Sequence, residues 1–194
     1  MRATRTLAAG VAAAALLAGN ARADTASFRV VSQLNADLLT HDSATETLQR
    51  WCAARRLADP PKIVAERVLD HDKPADAEVR RLLHAAPDEA IRYRRVALAC
   101  GSHVLSNADN WYRPGALTAA MNAELDATDH PFGLVVKPLG FHRRTLSAQM
   151  LISKHGGVVP DAVIRHRAVL ETADGTPFSL VVETYAKAVL DEGP

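Results

Sequence analysis

Cysteine and aromatic residues are scarce in this chain of 194 residues, and neither sign of charge predominates. Two cysteines are too few for a disulfide scaffold, and they do not form a Cys-x-x-Cys pair. Aromatic residues make up 5% of the sequence, so the core must consist mainly of aliphatic side chains. The formal net charge of +1 lacks the strong basicity typical of proteins that bind nucleic acid. We therefore expect a globular protein without a nucleic-acid partner.

The common motifs of cofactor and metal chemistry are also missing. The sequence contains no G-x-G-x-x-G, P-loop, G-x-S-x-G or H-E-x-x-H pattern. Its eight histidines are scattered, and none is spaced with a carboxylate as a pair of metal ligands would be. The sequence thus predicts neither a metal nor an organic cofactor.

Residues 1–23 have the pattern of a secretory signal peptide. Arg2 and Arg5 supply positive charge, and an apolar stretch of alanine, valine and leucine extends from Leu7 to Ala18. Ala21-Arg22-Ala23 has the small-x-small form of a cleavage site. The apolar stretch is short for a membrane span, and an uncleaved anchor is the alternative.

Cleavage of this peptide would leave residues 24–194 as one domain. We expect that domain to be periplasmic or secreted, monomeric, and without stable membrane insertion. In an oxidising compartment Cys52 and Cys100 could form a disulfide. Two separate buried thiols are the alternative, and their positions in the sequence favour neither.

Hydrophobic periodicity and turn residues predict two early helices followed by strands joined mostly as hairpins. Ser43 and Glu46 form a capping box that opens the first helix. Alternating apolar residues bounded by glycine and proline mark the strands. Helices are predicted over residues 43–57, 75–85 and 118–125, and strands over 62–69, 90–100, 103–112, 141–152, 162–172 and 177–190. This arrangement is typical of a single α+β domain with an antiparallel sheet flanked by helices.

Three of these strands place a charged side chain among apolar neighbours. Side chains alternate across a sheet, so Arg95 shares a face with Tyr93 and Ala97, and that face suits the lining of a pocket. Arg144 and Glu183 lie on comparable faces of their own strands. Such charges need partners, because desolvation of an unpaired ion costs several kcal/mol.

Two arrangements would satisfy these charges. In the first, Glu183 forms a structural salt bridge with Arg95 or Arg144. In the second, two arginines and one glutamate leave a surplus positive charge, and a bound carboxylate neutralises it through a bidentate pair of hydrogen bonds. The spacing of the residues alone favours internal pairing.

Several short motifs follow one another in order between about residues 45 and 190. They are Tyr93-Arg94-Arg95-Val96-Ala97-Leu98-Ala99-Cys100, Ala108, Pro114, His130-Pro131-Phe132-Gly133, Arg143-Arg144-Thr145-Leu146, and Asp174-Gly175-Thr176-Pro177 leading to Glu183. This ordered set resembles the chorismate lyase-like superfamily, which includes bacterial chorismate pyruvate-lyase and the UTRA ligand-sensing domains of GntR-type regulators.

The resemblance implies a highly curved antiparallel sheet with helical flaps that enclose a ligand pocket. By position, Arg95 matches the arginine that holds the ligand carboxylate, and Phe132 matches the residue whose backbone N–H contacts the same carboxylate. Glu183 matches the glutamate near the aromatic hydroxyl of the ligand, and Arg144 matches a further arginine in the neighbouring strand.

One function implied by the resemblance is that of a carbon–oxygen lyase. Such an enzyme eliminates pyruvate from chorismate to give 4-hydroxybenzoate and needs no cofactor. Glu183 would be the general acid–base catalyst, and Arg95, Phe132 and Arg144 would bind the substrate. An export signal weighs against this activity, because chorismate is a cytoplasmic metabolite.

The alternative is an exported protein that binds a small aromatic carboxylate without catalysis. The same pocket would hold the ligand, and the polar side chains of Asn107, Asp109 and Asn110 would bind its hydroxyl groups. Fold transfers between distant relatives more safely than activity does, so the sequence alone leaves both functions open.

Overall fold

The computed structural model describes residues 10–69 and 72–193, with side chains from Thr25 onward. Within this part of the chain, six strands form one antiparallel sheet and five α-helices pack against it. The helices are α1 (Gly10–Leu39), α2 (Ala44–Ala54), α3 (Ala77–Leu82), α4 (Ala119–Ala127) and α5 (Phe132–Val135). The strands are β1 (Ile63–Arg67), β2 (Arg92–Cys100), β3 (His103–Tyr112), β4 (His142–Met150), β5 (Ala162–Glu171) and β6 (Pro177–Ala186). The predicted single α+β domain with an antiparallel sheet is confirmed.

Two hairpins meet at the centre of the sheet, whose strand order is β1-β2-β3-β6-β5-β4. The turn between β2 and β3 contains Gly101, whose φ of 58° is a left-handed conformation that glycine adopts readily. β3 pairs with β6, so Ala108 and Glu183 are direct cross-strand neighbours. This pairing places residues that are about 75 positions apart in the sequence side by side.

The two faces of the sheet are both covered. On the face called the inner face here, α1 and α2 cover one end, where Val31, Leu34 and Leu38 of α1 are buried at helical spacing. α4 and α5 cover the other end, in a cluster that includes Leu125 and Phe132. α3 packs on the outer face against Trp111 and Leu180. The central strands are therefore mostly buried, and the exposed surface of the sheet lies mainly along the edge strands β1 and β4.

Three segments differ from the sequence prediction. α1 extends to Leu39, whereas no element was predicted between residues 24 and 42, and α5 forms within a segment that was predicted to be a loop. The last strand ends at Ala186, and Lys187–Leu190 form a 3₁₀ helix. A helix of four residues such as α5 is too short to produce a periodic pattern, which explains why it was missed.

Part of the predicted signal peptide, residues 1–9, lies outside the described residues. α1 runs across the predicted cleavage position after Ala23, and cleavage there stays a prediction. None of the helices in the described part of the chain is long and apolar enough to cross a membrane.

Cys52 and Cys100 form a disulfide, which resolves the alternative left open by the sequence. Their Cα atoms are 6.0 Å apart, and both residues are buried in the core beside Leu48 and Ile63. The bond joins α2 to the end of β2. It therefore ties a helix of the inner layer to the strand beneath it.

Loss of this disulfide should destabilise the domain. The bond closes a loop with a sequence separation of 48, and restricting the unfolded chain to that extent is worth about 4 kcal/mol in the chain-entropy estimate. We expect the Cys52→Ala/Cys100→Ala variant to lose about 2–4 kcal/mol in its free energy of unfolding, measured by urea denaturation. Reductant should lower the wild-type midpoint and leave that of the variant unchanged. A wild-type midpoint insensitive to reductant would contradict this expectation.

Candidate functional site

An inner pocket lies on the inner face of the sheet, below the first turn of α2 and the start of α5. Alternate residues of β2, β3 and β6 form its floor, and residues 42–45 and 132–133 form its cover. It measures about 530 Å³ when the space open to solvent is included. Apolar walls are supplied by Val96, Leu98, Phe132, Phe141 and Leu170.

The cover of the inner pocket is closely packed. Ser43 is the N-cap of α2, and its hydroxyl accepts a hydrogen bond from the backbone N–H of Glu46 at 3.2 Å. A side chain at Gly133 would approach the Thr45 hydroxyl oxygen to 3.2 Å, so glycine allows α5 to pack closely against α2. Because residues 42–45 line the pocket, the first turn of α2 points the positive end of its helix dipole toward it. Asp42 lies beside it and accepts a hydrogen bond from the backbone N–H of Arg143 at 2.7 Å.

Arg94 of β2 contributes a buried cation to the inner pocket. Its guanidinium donates hydrogen bonds to the carbonyl oxygens of Leu125, at 2.7 Å, and His130, at 2.9 Å. Among the described residues, no carboxylate oxygen lies within 4 Å of it, and its Nε has no hydrogen-bond partner. Burial lowers the pKa of Arg94, and the nearby charge of Arg67 lowers it further. Backbone carbonyl groups thus position this charge without neutralising it.

Arg143 and Glu183 form a buried ion pair in the same pocket. Nη2 of Arg143 lies 2.5 Å from Oε2 of Glu183, and the two side chains are 4% and 9% exposed. The hydroxyl of Tyr185 donates a second hydrogen bond to Oε2 at 3.0 Å. Burial alone would lower the pKa of Arg143, but the charge and hydrogen bond of Glu183, together with Tyr185 and Asp42, raise it. Burial, reinforced by the same charge, raises the pKa of Tyr185 well above its ordinary value.

His166 is fully buried directly opposite Glu183 in the pairing of β5 with β6. Its Nε2 lies 2.8 Å from Oδ1 of Asn35 in α1, so the neutral ring carries its proton on Nε2. Its Nδ1 has no hydrogen-bond partner in the structure. Burial lowers the pKa of His166, which favours the neutral ring. α1 is thereby linked to the polar groups at the floor of the pocket.

Asn110 of β3 completes the polar lining. It is buried, and its Oδ1 accepts a hydrogen bond from the hydroxyl of Ser179 at 2.5 Å. Its Nδ2 has no partner. Three residues that line the pocket, Arg94, Arg143 and Asn110, therefore each hold a buried nitrogen donor without an acceptor. Because an unpaired buried donor costs about 1–3 kcal/mol, this site matches a group rich in acceptor oxygens.

Comparison with known proteins places the chain in a family. The chain is 49% identical over 179 residues to the uncharacterized protein y4mC of Sinorhizobium fredii, and the match covers 84% of this chain and 76% of that protein. The chain belongs to the y4mC family. No protein-family model matches it.

Solved structures with the same fold include PhnF from Mycobacterium smegmatis and the effector domain of that protein. The chain is 10% identical to each, with TM-scores of 0.52 and 0.51. The matches cover 76% and 75% of this chain, but they span 65% of intact PhnF and 88% of the effector domain. At this identity the likeness shows the fold alone. It confirms the fold implied by the resemblance to the chorismate lyase-like superfamily, and the activity stays a prediction.

The structure brings two of the four predicted site residues of this y4mC relative into the inner pocket. Phe132 and Glu183 line it, and their predicted roles toward a ligand stay predictions. Arg95 lies on the outer face, with Nη1 3.8 Å from a carboxylate oxygen of Asp109. Arg144 is also outside, where its Nε hydrogen bonds with Glu171 at 2.6 Å. In both strands the preceding arginine lines the pocket instead.

Local geometry explains the error in the two arginines. A bulge between Thr145 and Ser147 breaks the alternation of β4, so Arg143 rather than Arg144 shares the inner face with Met150. In β2 both faces are covered, so apolar neighbours of Arg95 did not identify the inner face. The larger aliphatic side chains that follow Arg94 at alternate positions, Val96 and Leu98, were the available signal.

The structure also corrects the predictions made for the polar residues of β3 and for the partner of Glu183. Asp109 and Asn107 lie on the outer face, where Asp109 accepts a hydrogen bond from the Tyr93 hydroxyl at 2.6 Å, and only Asn110 lines the pocket. Glu183 does form an internal salt bridge, but its partner is Arg143 and not Arg95 or Arg144 as predicted. The described residues contain no group of three or more His, Cys, Asp or Glu side chains that could hold a metal.

The two neighbouring arginines of β4 should differ in their effect on stability. Arg143→Gln leaves the buried carboxylate of Glu183 without its partner, so we expect a loss of about 3–5 kcal/mol in the free energy of unfolding. Arg144→Gln removes an ion pair in which the arginine side chain is 48% exposed, and should cost less than about 1 kcal/mol. Urea denaturation of both variants measures the difference. Equal losses would show that the Arg143–Glu183 pair does not stabilise the fold as described.

Proposed function

We propose that this y4mC relative binds a small carboxylate in the inner pocket without converting it chemically. One observation carries this proposal: Arg94 is a buried cation with no carboxylate within 4 Å among the described residues, in a pocket with three unpaired nitrogen donors. Glu183 balances the charge of Arg143, and Asp42 at the cover accepts a hydrogen bond from the backbone N–H of Arg143. Arg94 is therefore the lining cation that contacts no carboxylate among the described residues, and a ligand carboxylate would supply that contact and further acceptors.

The lining of the inner pocket supports a ligand with an apolar body. The carboxylate would lie between Arg94 and the first turn of α2, whose dipole favours an anion. The body of the ligand would pack against Phe132 and Phe141, which are side chains suited to an aromatic ring. Nδ2 of Asn110 would donate to a further oxygen of the ligand. The same fold serves as the effector domain of PhnF, and a ligand pocket is compatible with that use.

The contacts of Glu183 support binding rather than pyruvate elimination. A lyase of the predicted kind needs Glu183 to exchange a proton with its substrate. Here Oε2 accepts hydrogen bonds from Arg143 and Tyr185, and Oε1 lies 3.5 Å from Nη1 of Arg143. A carboxylate engaged in this way has a structural partner already, so chemistry would first require the ion pair to open.

The adjacent residues Arg94 and Arg95 provide a matched test of the ligand site. With 4-hydroxybenzoate as the probe, Arg94→Gln should weaken binding by about 2–5 kcal/mol, because it removes one partner of a buried charge pair. Arg95→Gln removes the same charge from the outer face and should leave the affinity unchanged. Calorimetric titration measures the affinities, and thermal unfolding of both variants checks that they are folded.

Two results would contradict the proposal. One is a wild type that binds no aromatic carboxylate and carries none when it is denatured and examined by mass spectrometry. The other is an Arg95→Gln variant that loses as much affinity as Arg94→Gln. Release of pyruvate from chorismate by the wild type, abolished in Glu183→Gln, would instead establish the lyase.

We also propose that the protein is exported, as the first 23 residues suggest. The Cys52–Cys100 disulfide supports this proposal, because structural disulfides persist in oxidising compartments. Protein recovered from its native compartment should begin at Asp24, and intact-mass measurement tests this. A full-length species with two free thiols would refute it.

A further inference from the structure

An arginine groove lies beside the inner pocket, at the corner of the sheet where β1 and β2 meet the end of α4. It is formed by Arg67 of β1, Arg92 and Arg94 of β2, and Asp126 of α4. In the strand pairing, Arg67 is opposite Val96, which places it on the inner face with Arg94. The groove opens separately from the pocket, and Arg94 lines both of them.

The contacts in the arginine groove leave much of its donor capacity unused. Arg92 binds Asp126 through Nη1, at 3.0 and 2.8 Å from the two carboxylate oxygens. Arg67 donates to the backbone carbonyl oxygen of Asp126 at 2.8 Å, the single side-chain hydrogen bond that it makes to the described residues. The side chains of Arg92 and Asp126 are 46% and 57% exposed, so solvent and small ions can reach them.

The charges in the arginine groove do not balance. Four arginines line the groove among the described residues, and one of them, Arg95, is paired on the outer face with Asp109. The other three face the carboxylate of Asp126, which leaves a surplus of two positive charges over the described residues of the groove. The charge of Arg67 is close enough to lower the pKa of Arg94, so the arginines repel one another. Arg67 and Arg94 donate to the carbonyl oxygens of Asp126 and Leu125 at the end of α4, which uses some of their donors but leaves their charges unpaired by these contacts.

We propose that the arginine groove is a second anion site, which binds a dianion of the phosphate class. Guanidinium groups match the oxygens of phosphate through paired hydrogen bonds, and a phosphate group carries close to two negative charges near neutral pH. A single carboxylate would leave part of the surplus charge unneutralised. The site shares Arg94 with the inner pocket, but Arg67 and Arg92 do not line that pocket, so the two sites can be tested separately.

Titration with inorganic phosphate tests this site directly. At constant ionic strength set with sodium chloride, phosphate should raise the wild-type midpoint of thermal unfolding and give a saturable calorimetric signal. The Arg67→Gln/Arg92→Gln variant should bind phosphate at least about tenfold more weakly, since it removes both exposed cations of the groove. As a control of equal charge, Arg81→Gln/Arg165→Gln removes two exposed arginines elsewhere and should bind phosphate like the wild type.

The outcomes separate this site from the inner pocket. The groove variant should keep the wild-type affinity for 4-hydroxybenzoate, whereas Arg94→Gln should lose it. A wild type that does not bind phosphate, or a groove variant that binds it as the wild type does, would overturn the proposal. Equal weakening in the charge control would also overturn it.

A phosphate group can be free or part of a lipid headgroup, and a second measurement distinguishes these sources. Sedimentation with vesicles of phosphatidylglycerol should show no groove-dependent binding if the ligand is a small soluble phosphate. Binding to vesicles that is lost in the groove variant, in a protein that ignores inorganic phosphate, would overturn the assignment of a small dianion.

Discussion

A guanidinium held by carbonyl oxygens rather than by a carboxylate is the feature on which the inner pocket depends. The carbonyl groups of Leu125 and His130 position Arg94 but leave its charge in place. Arg143 lies on the same face and is neutralised by Glu183. The contrast matters because a buried ion pair has little net attraction for an added anion, whereas a buried cation solvated only by dipoles has a strong one. The proposed preference of the site for an anion therefore depends on a single residue.

The fold supports this arrangement through a few long-range connections. Pairing of β3 with β6 brings Asn110 and Glu183 to one floor, and the disulfide of Cys52 holds α2 against β2. The N-terminal turn of α2 thus stays over the strand that carries Arg94. Asn35 of α1 hydrogen bonds with His166, the cross-strand neighbour of Glu183, so α1 and the sheet are linked by a hydrogen bond as well as by apolar contacts. The polar groups of the site are held by elements from the whole domain.

Sequence reasoning predicted the strands well, because alternation and glycine turns are local signals. It predicted the side on which each charge lies less well, because both faces of this sheet are covered and apolar residues occur on both. Because of a bulge in β4, which alternation cannot reveal, Arg143 rather than Arg144 lies on the inner face. Phe132 was placed in the pocket through the resemblance to a known superfamily, whereas Glu183 was indicated by the alternation of its strand as well as by that resemblance. The contact of Asn35 with His166 was not predicted, because no helix was predicted for this segment and the two residues are 131 positions apart.

A second bulge determines the charge of the inner pocket. The hairpin of β2 and β3 starts with Cys100 opposite His103, and Ala99 pairs with Val104, but the register then shifts so that Leu98 pairs with Ser106. Continued without this shift, the register would place Asp109 opposite Arg94 and neutralise it on the inner face. With the shift, Asp109 lies opposite Arg95 on the outer face, and neutral Asn110 lies opposite Arg94. The additional residue in β3 thus places a charge pair on the outer face and leaves Arg94 opposite a neutral residue on the inner face. The polarity of the proposed binding site therefore depends on the register of a single hairpin.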